Sequence, residues 1–213
     1  MTAFTILLGG TLTVTPRLRN QISGSRFIAA DSGMMHAAAL RVVPELWVGD
    51  FDSAGSELAI QYKDVPRETF PAEKDATDGA IAVTEALRRG ATSIVLAGGL
   101  GGQADHTTGL LGQALGLALA GTRTLLTSGE EEAYPVIPGT LTLDLAPGTR
   151  VSIVPFADLD GLDLDGVKWP LVQRHVPLGS TLTLSNVATG ETRITIRAGY
   201  GMAFAYPPLG VDV

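Results

Sequence analysis

Apolar residues follow two different rhythms along this chain, and the rhythm changes near residue 130. Before that point, short apolar runs (Phe4 to Leu8, Arg26 to Ala30, Glu45 to Val48, Ser93 to Ala97 and Arg123 to Thr127) alternate with helix-like segments. Such runs suit strands buried on both faces, so the pattern predicts a mainly parallel, Rossmann-like sheet with helices packed on it. The helical period is clearest over Thr77 to Arg89 and Ala104 to Ala120. In the second, Leu111, Leu115 and Leu119 recur every fourth residue beside Ala114 and Ala118, forming one apolar stripe. Gly90 and Gly121 follow these segments as candidate C-caps.

After residue 130, Thr, Val, Ile and Leu alternate with polar residues in short pieces: Thr140 to Leu145, Arg150 to Pro155, Thr181 to Asn186 and Glu191 to Arg197. Glycine and proline punctuate them at Pro138-Gly139, Pro147-Gly148, Gly179 and Gly190. This period of two predicts an antiparallel all-β domain, sandwich or barrel. The expected division is an α/β domain over 1–130 and a β domain over 131–213, with the boundary inside Ser128 to Gly139.

Composition narrows the chemistry. The chain has no cysteine, which removes disulfides, thiolate zinc sites and cysteine nucleophiles, and fits a reducing compartment. Its three histidines, His36, His106 and His175, lack the spacing of a histidine-built metal site, and His36 and His175 read as structural. The net charge of −7, without any Lys/Arg run, argues against nucleic acid as a partner. The N-terminal MTAFTILLGG lacks a basic n-region, and the apolar stretch Leu110 to Leu119 is too short to span a bilayer. The expected location is the cytoplasm, away from membranes.

Acidic residues then fall where the strands end. Asp31 follows FIAA, Asp50 and Asp52 follow ELWV, and Asp105 follows SIVLAGG. Ligands of open parallel sheets bind at the carboxyl ends of the strands, so these acids are expected to gather at one edge. Read as an extended segment, GDFDS would aim Asp50 and Asp52 the same way and turn Phe51 inward. Two such carboxylates suit a hard divalent cation, Mg²⁺, although a bare DxD is also a common solvated turn. In KDATD, Thr77 is a candidate N-cap, and Asp75 and Asp78 are candidates for capping or for the site. Asp31 likewise suits a cap for the helix that follows.

The loop GGLGGQADH, 98 to 106, joins a strand to a helix and suits a phosphate. Gly99, Gly101 and Ala104 also match GxGxxA, which admits a nicotinamide-dependent oxidoreductase. The acid expected roughly 20 residues later is missing, however, since the first acid after the next strand is Glu130. The Walker pattern GxxxxGK[ST] does not occur.

Taken together, ADSG at 30–33, GDFDS at 49–53, KDATD at 74–78, GGQADH at 101–106, GVKWPL at 166–171 and SN at 185–186 make the chain resemble the thiamine pyrophosphokinase family over nearly its full length. That resemblance implies transfer of pyrophosphate from ATP to thiamine, leaving AMP. It also implies a homodimer whose thiamine pocket is completed at the subunit interface. Carried over by position, Asp50, Asp52 and Asp78 would hold Mg²⁺ and orient the thiamine hydroxyl, with Asp31 beside them. Lys74, Asp75, Thr77, Gly101, Gly102, Gln103, Asp105 and His106 would lie on the ATP side, and Trp169, Ser185 and Asn186 on the thiamine side. Read without the resemblance, Trp169 suits packing as well as stacking, and Ser185 and Asn186 suit a turn as well as ligand contact.

Gln103 departs from the family's usual arginine in GGRxDH and brings no charge to a phosphate, a deficit that Lys74 can offset. That departure keeps open a binding module without catalysis. The N-terminal motifs alone also admit a related pyrophosphokinase for another alcohol, such as a pterin.

Overall fold

The computed structural model describes residues 2–51, 56–70 and 76–208. Two compact units are present. One comprises Met1–Thr107 with Leu126–Gly129, the other Thr108–Leu125 with Glu130–Val213.

In the first unit the chain runs β1 (Ala3–Leu7), α1 (Pro16–Gln21), β2 (Arg26–Ala30), a 3-10 turn (Asp31–Met35), α2 (His36–Leu40), β3 (Leu46–Gly49), α3 (Ser56–Gln61), β4 (Arg67–Thr69), α4 (Asp78–Arg88) and β5 (Ser93–Ala97). These strands pair in the order β5, β1, β2, β3, β4, all parallel. The register sets Ala97, Leu7, Ala29 and Trp47 in one row across four strands. All four are buried in one cluster with Leu18, Met34, Ala37 and Leu40. The two alanines leave room for the indole, so volume is conserved across the row. Ile6, Ile28, Leu46 and Leu96 form the alternate row and are equally buried. Burial on both faces explains why these strands read as continuous apolar runs.

Next come α5 (Ala104–Leu119) and β6 (Arg123–Thr127). The second unit continues with β7 (Glu132–Val136), β8 (Gly139–Leu143), β9 (Arg150–Pro155), β10 (Leu159–Val167), β11 (Leu171–Val176), β12 (Asn186–Ile196) and β13 (Gly201–Tyr206). Its pairings are antiparallel: β7 with β13, β13 with β9, β9 with β12, β12 with β8 and β10, and β10 with β11. The strand β12 meets β9 only at Asn186 and Val187 and takes β8 from Thr192 onward. One strand therefore serves two neighbours in succession along its length, as at the corners of sandwiches and barrels. Leu143, Val151, Ile153, Leu162, Leu164, Ile194 and Ile196 fill the enclosed core.

Two expectations are corrected. Residues 181–185 form a turn, with a strand beginning at Asn186: Thr183 meets β9 at a single point, its hydroxyl donating to the Ile153 carbonyl and its carbonyl accepting from the Ile153 amide. Phe51 has φ +63, so GDFDS is not extended there. Phe51 still turns inward, meeting Trp47 edge-on at 5.0 Å between ring centroids. Asp52 lies outside the described residues.

At the amino end of the sheet, Glu45 accepts from Arg26 of β2 at 2.7 Å and from Arg89, which caps α4, at 2.6 Å. Burial alone would raise its carboxyl, but the two guanidinium groups outweigh that and hold it below the ordinary carboxylate value. A depressed folded-state value means that the contribution is present above the unfolded-state pKa and lost as pH falls through the folded one. Glu45→Gln is expected to cost about 1 kcal/mol at pH 7, a figure kept small by the exposure of Arg26. In urea melts, the gap between wild type and variant should close below about pH 4. A gap that persists unchanged in acid contradicts this account.

Candidate active site at the carboxyl edge of the parallel sheet

Because Leu7 pairs with both Ala29 and Ala97, and Ala30 with Val48, the strands β1, β2, β3 and β5 all end along one edge. Asp31 leaves β2 there and Asp50 leaves β3. The Cβ that Gly49 lacks would stand 3.2 Å from the Asp31 Cα, so the two chains touch where their acids emerge. Asp31 sits at φ +45, a conformation that ordinarily favours glycine. Its carbonyl accepts from Trp47 Nε1 at 2.8 Å. The N-cap position of the following 3-10 turn belongs to Ala30, so Asp31 is not that turn's cap.

Backbone crowding fixes this edge. A side chain on Gly33 would begin 2.1 Å from the Leu7 carbonyl oxygen, and one on Gly10 would begin 2.3 Å from that of Gly98. His36 Nε2 lies 2.9 Å from the Gly10 carbonyl and, being opposite a carbonyl, is the donor. Burial lowers the His36 imidazole below its ordinary value, although the Gly10 and Leu8 carbonyls pull it upward. The structural role expected of His36 is therefore a tether on the Gly9-Gly10 loop. Sequence reasoning passed over that loop, although its Gly-Gly directly after a strand was the same signal that picked out Gly98-Gly99.

The helix α4 packs on β1, β2 and β3, and its first turn reaches the edge, since a Cβ on Gly79 would lie 3.0 Å from Leu8 Cδ2. Thr77 is its N-cap, accepting from the Ala80 amide at 3.2 Å. Asp78, half-buried, follows in the first turn. Lys74 and Asp75 lie outside the described residues. From β5 the glycine loop leads into α5. Gly101, at φ +75, with Gly102, Gln103, Asp105 and His106 are all exposed. Asp105 accepts from the His106 amide at 2.9 Å, so part of its carboxylate serves its own helix turn.

Among the described residues no group of three or more His, Asp or Glu side chains is gathered to hold a metal ion. The donors present, aspartate oxygens on adjoining strand ends, fit Mg²⁺ that keeps part of its shell for water and phosphate rather than one enclosed by protein alone.

In the second unit, Trp169, Ser185 and Asn186 do come together. Asn186 Oδ1 accepts from the Trp169 amide at 3.2 Å and Nδ2 donates to the Trp169 carbonyl at 2.8 Å. Ser185, at φ +60, donates its amide to the hydroxyl of Ser152 on β9 at 2.9 Å. The Trp169 ring is half-exposed and carries the Lys168 ammonium 4.7 Å from its centroid. His175, also expected to be structural, bonds Asp160 through Nδ1 at 2.6 Å.

Comparison with known proteins identifies the family. The family model of the thiamin pyrophosphokinase catalytic domain matches residues 20–125. That of the thiamin pyrophosphokinase vitamin B1 binding domain matches residues 140–202. A thiamine pyrophosphokinase of Bacillus subtilis is 29% identical over 191 residues, covering 87% of this chain and 89% of its own. The crystal structure of thiamine pyrophosphokinase from Bacillus subtilis superposes with a TM-score of 0.86 at 25% identity, covering 98% of this chain and all of that one. A thiamin pyrophosphokinase from Geobacillus thermodenitrificans gives 0.80 at 27% identity, with 98% of each chain covered. With both domain models matched in order and the glycine-lined edge that carries Asp31 and Asp50 in place, the chain belongs to the thiamine pyrophosphokinase family.

Proposed function

We propose that the protein transfers the pyrophosphate group of ATP to the hydroxyl of thiamine, giving thiamine pyrophosphate and AMP. The observation that carries this reading is the emergence of Asp31 and Asp50 from touching strand ends, at the edge that also receives the α5 glycine loop. In the reaction the thiamine oxygen bonds to the β-phosphorus of ATP, the bond from that phosphorus to the α-phosphate bridge breaks, and the bridging oxygen leaves with AMP. The hydroxyl proton goes to an ionised aspartate or to water.

Such a transfer relies on positioning and charge neutralisation rather than on a covalent nucleophile. The backbone amides of the exposed residues Gly101, Gly102 and Gln103, at the amino end of α5, are suited to phosphate oxygens. Gln103 contributes hydrogen bonds without charge, and Lys74 supplies the cation on that side. Asp50, Asp52 and Asp78 would hold Mg²⁺, which when bound offsets the phosphate charge and aligns the reacting groups. Asp31, kept in place by Trp47 and Gly49, orients the acceptor hydroxyl beside them. Asp75, Thr77, Asp105 and His106 complete the ATP side, with Thr77 acting through its cap on α4.

Trp169 offers a flat face to the cationic thiazolium or to the pyrimidine, and the ammonium already resting near that ring supports its affinity for cations. The roles divide as ATP and metal binding in 1–130 and thiamine binding with dimerisation in 131–213. A homodimer, with its active site at the subunit interface, is supported by the exposed Val172, Leu178, Leu182 and Leu184 on and beyond β11, which among the described residues pairs only with β10. No helix among the described residues is long and apolar enough to cross a membrane.

AMP release is expected only when thiamine, ATP and Mg²⁺ are all present. Binding of both substrates without AMP release would leave a silent module instead, and a pterin alcohol that outperforms thiamine would reassign the acceptor. NADH is expected to leave the intrinsic fluorescence unchanged, and saturable quenching by it would favour the oxidoreductase. Asp50→Asn should lower turnover by roughly 10²-fold or more at unchanged melting temperature, and normal turnover would remove this mechanism. Trp169→Ala should raise the KM for thiamine about tenfold and leave that for ATP unchanged; equal effects on both would place the ring elsewhere.

A further inference from the structure

Asn186 is 7% exposed and lies directly beside the exposed Trp169. Val167 pairs with Ala188 across β10 and β12, and the Lys168 amide donates to the Val187 carbonyl at 2.8 Å. Two residues further along that register, Trp169 falls opposite Asn186. There the side-chain carboxamide takes over from the backbone ladder, accepting from the Trp169 amide and donating to the Trp169 carbonyl. A carboxamide has the donor and acceptor of a peptide group, so it can close a ladder where the strands separate. The next residue, Pro170, has no N–H with which to continue.

Oδ1 also accepts from the Val187 amide at 2.9 Å. Both of its lone pairs are therefore used, and reversing the amide would set an NH₂ group against two N–H donors, so the orientation is fixed. The left-handed turn at Ser185, held by Ser152 of β9, precedes this arrangement.

Resting on the proposed thiamine reading, we infer that Asn186 is a positioning residue and not a substrate contact. Through the peptide of Trp169 it holds the indole as a fixed stacking face for the flat cationic ring of the acceptor. The ring is thereby ordered before substrate arrives, and the ordering cost is not charged to binding. Asn186 then matters to thiamine only as long as Trp169 is present.

A double-mutant cycle over Trp169→Ala and Asn186→Ala, read as KM and kcat for each substrate, tests this. Asn186→Ala alone should raise the thiamine KM about tenfold, with kcat and the ATP KM within about twofold. In the Trp169→Ala background the same change should add less than about twofold. Equal losses in both backgrounds would mean direct contact with the substrate and overturn the inference.

A second readout needs no substrate. Trp47 is fully buried, so iodide-quenchable fluorescence belongs to Trp169. Its anisotropy decay should gain a fast component in Asn186→Ala. One is expected as well in Asn186→Asp, which keeps the acceptor for two amides but sets a carboxylate oxygen against the Trp169 carbonyl, and serves if the alanine variant does not fold. An indole as immobile in both variants as in wild type would overturn the inference. Wild-type protein that forms no AMP would instead count against the proposed function, and the anisotropy arm would still decide whether Asn186 holds the ring.

Discussion

The buried indole of Trp47 is the member on which the first unit depends. It closes the cross-strand row of Ala97, Leu7 and Ala29, and its ring nitrogen fastens the Asp31 carbonyl at the point where β2 ends. An indole nitrogen buried in this way needs an acceptor, and the nearest strand end supplies one. Core packing and the placement of an acid on the active edge thus share one side chain. The row leaves little freedom for the backbone above it, which is why Gly33, Gly49 and Gly98 stand where a methyl group would collide with a neighbouring chain or crowd against it.

A similar economy appears in the second unit with different means. There a carboxamide, not an aromatic ring, joins the framework to the functional surface. Asn186 belongs to β12 by its backbone and to the 168–170 segment by its side chain. The exposed Trp169 and the Asp31 strand end are accordingly both held by buried side chains, Asn186 and Trp47.

How much of this was legible in the sequence depends on whether the deciding interaction is local. Strands buried on both faces announced themselves, and β2, β5 and β6 were placed to the residue. Asp31 and Asp50 were equally visible, because parallel topology carries the ends of β2 and β3 to one edge. By contrast, β10 (LDGLDLDGV) was missed: its acids and glycines hide the alternation, and only the structure shows the Asp163 carboxylate accepting from both the amide and the side chain of Gln173. The short α1, capped by Thr15 with Pro16 next, and the alanine-rich α2 were too brief for a periodic signal. The extended backbone expected at Phe51 failed because nothing local announces a positive φ at a non-glycine residue, although its ring does pack inward against Trp47 and Arg67. For Asn186 the sequence offered a family position without saying what its atoms would do.

One feature at the border of the first unit sets how it fails. The strand β4 is three residues long and exposed throughout, yet its Arg67 guanidinium lies 4.8 Å from the Trp47 ring and 5.6 Å from Phe51 while donating to the Ala59 carbonyl of α3. A three-residue outer strand, paired to β3 and anchored by this side chain, opens at lower free energy than the rows inside it. On warming, this corner therefore frays before the central strands separate.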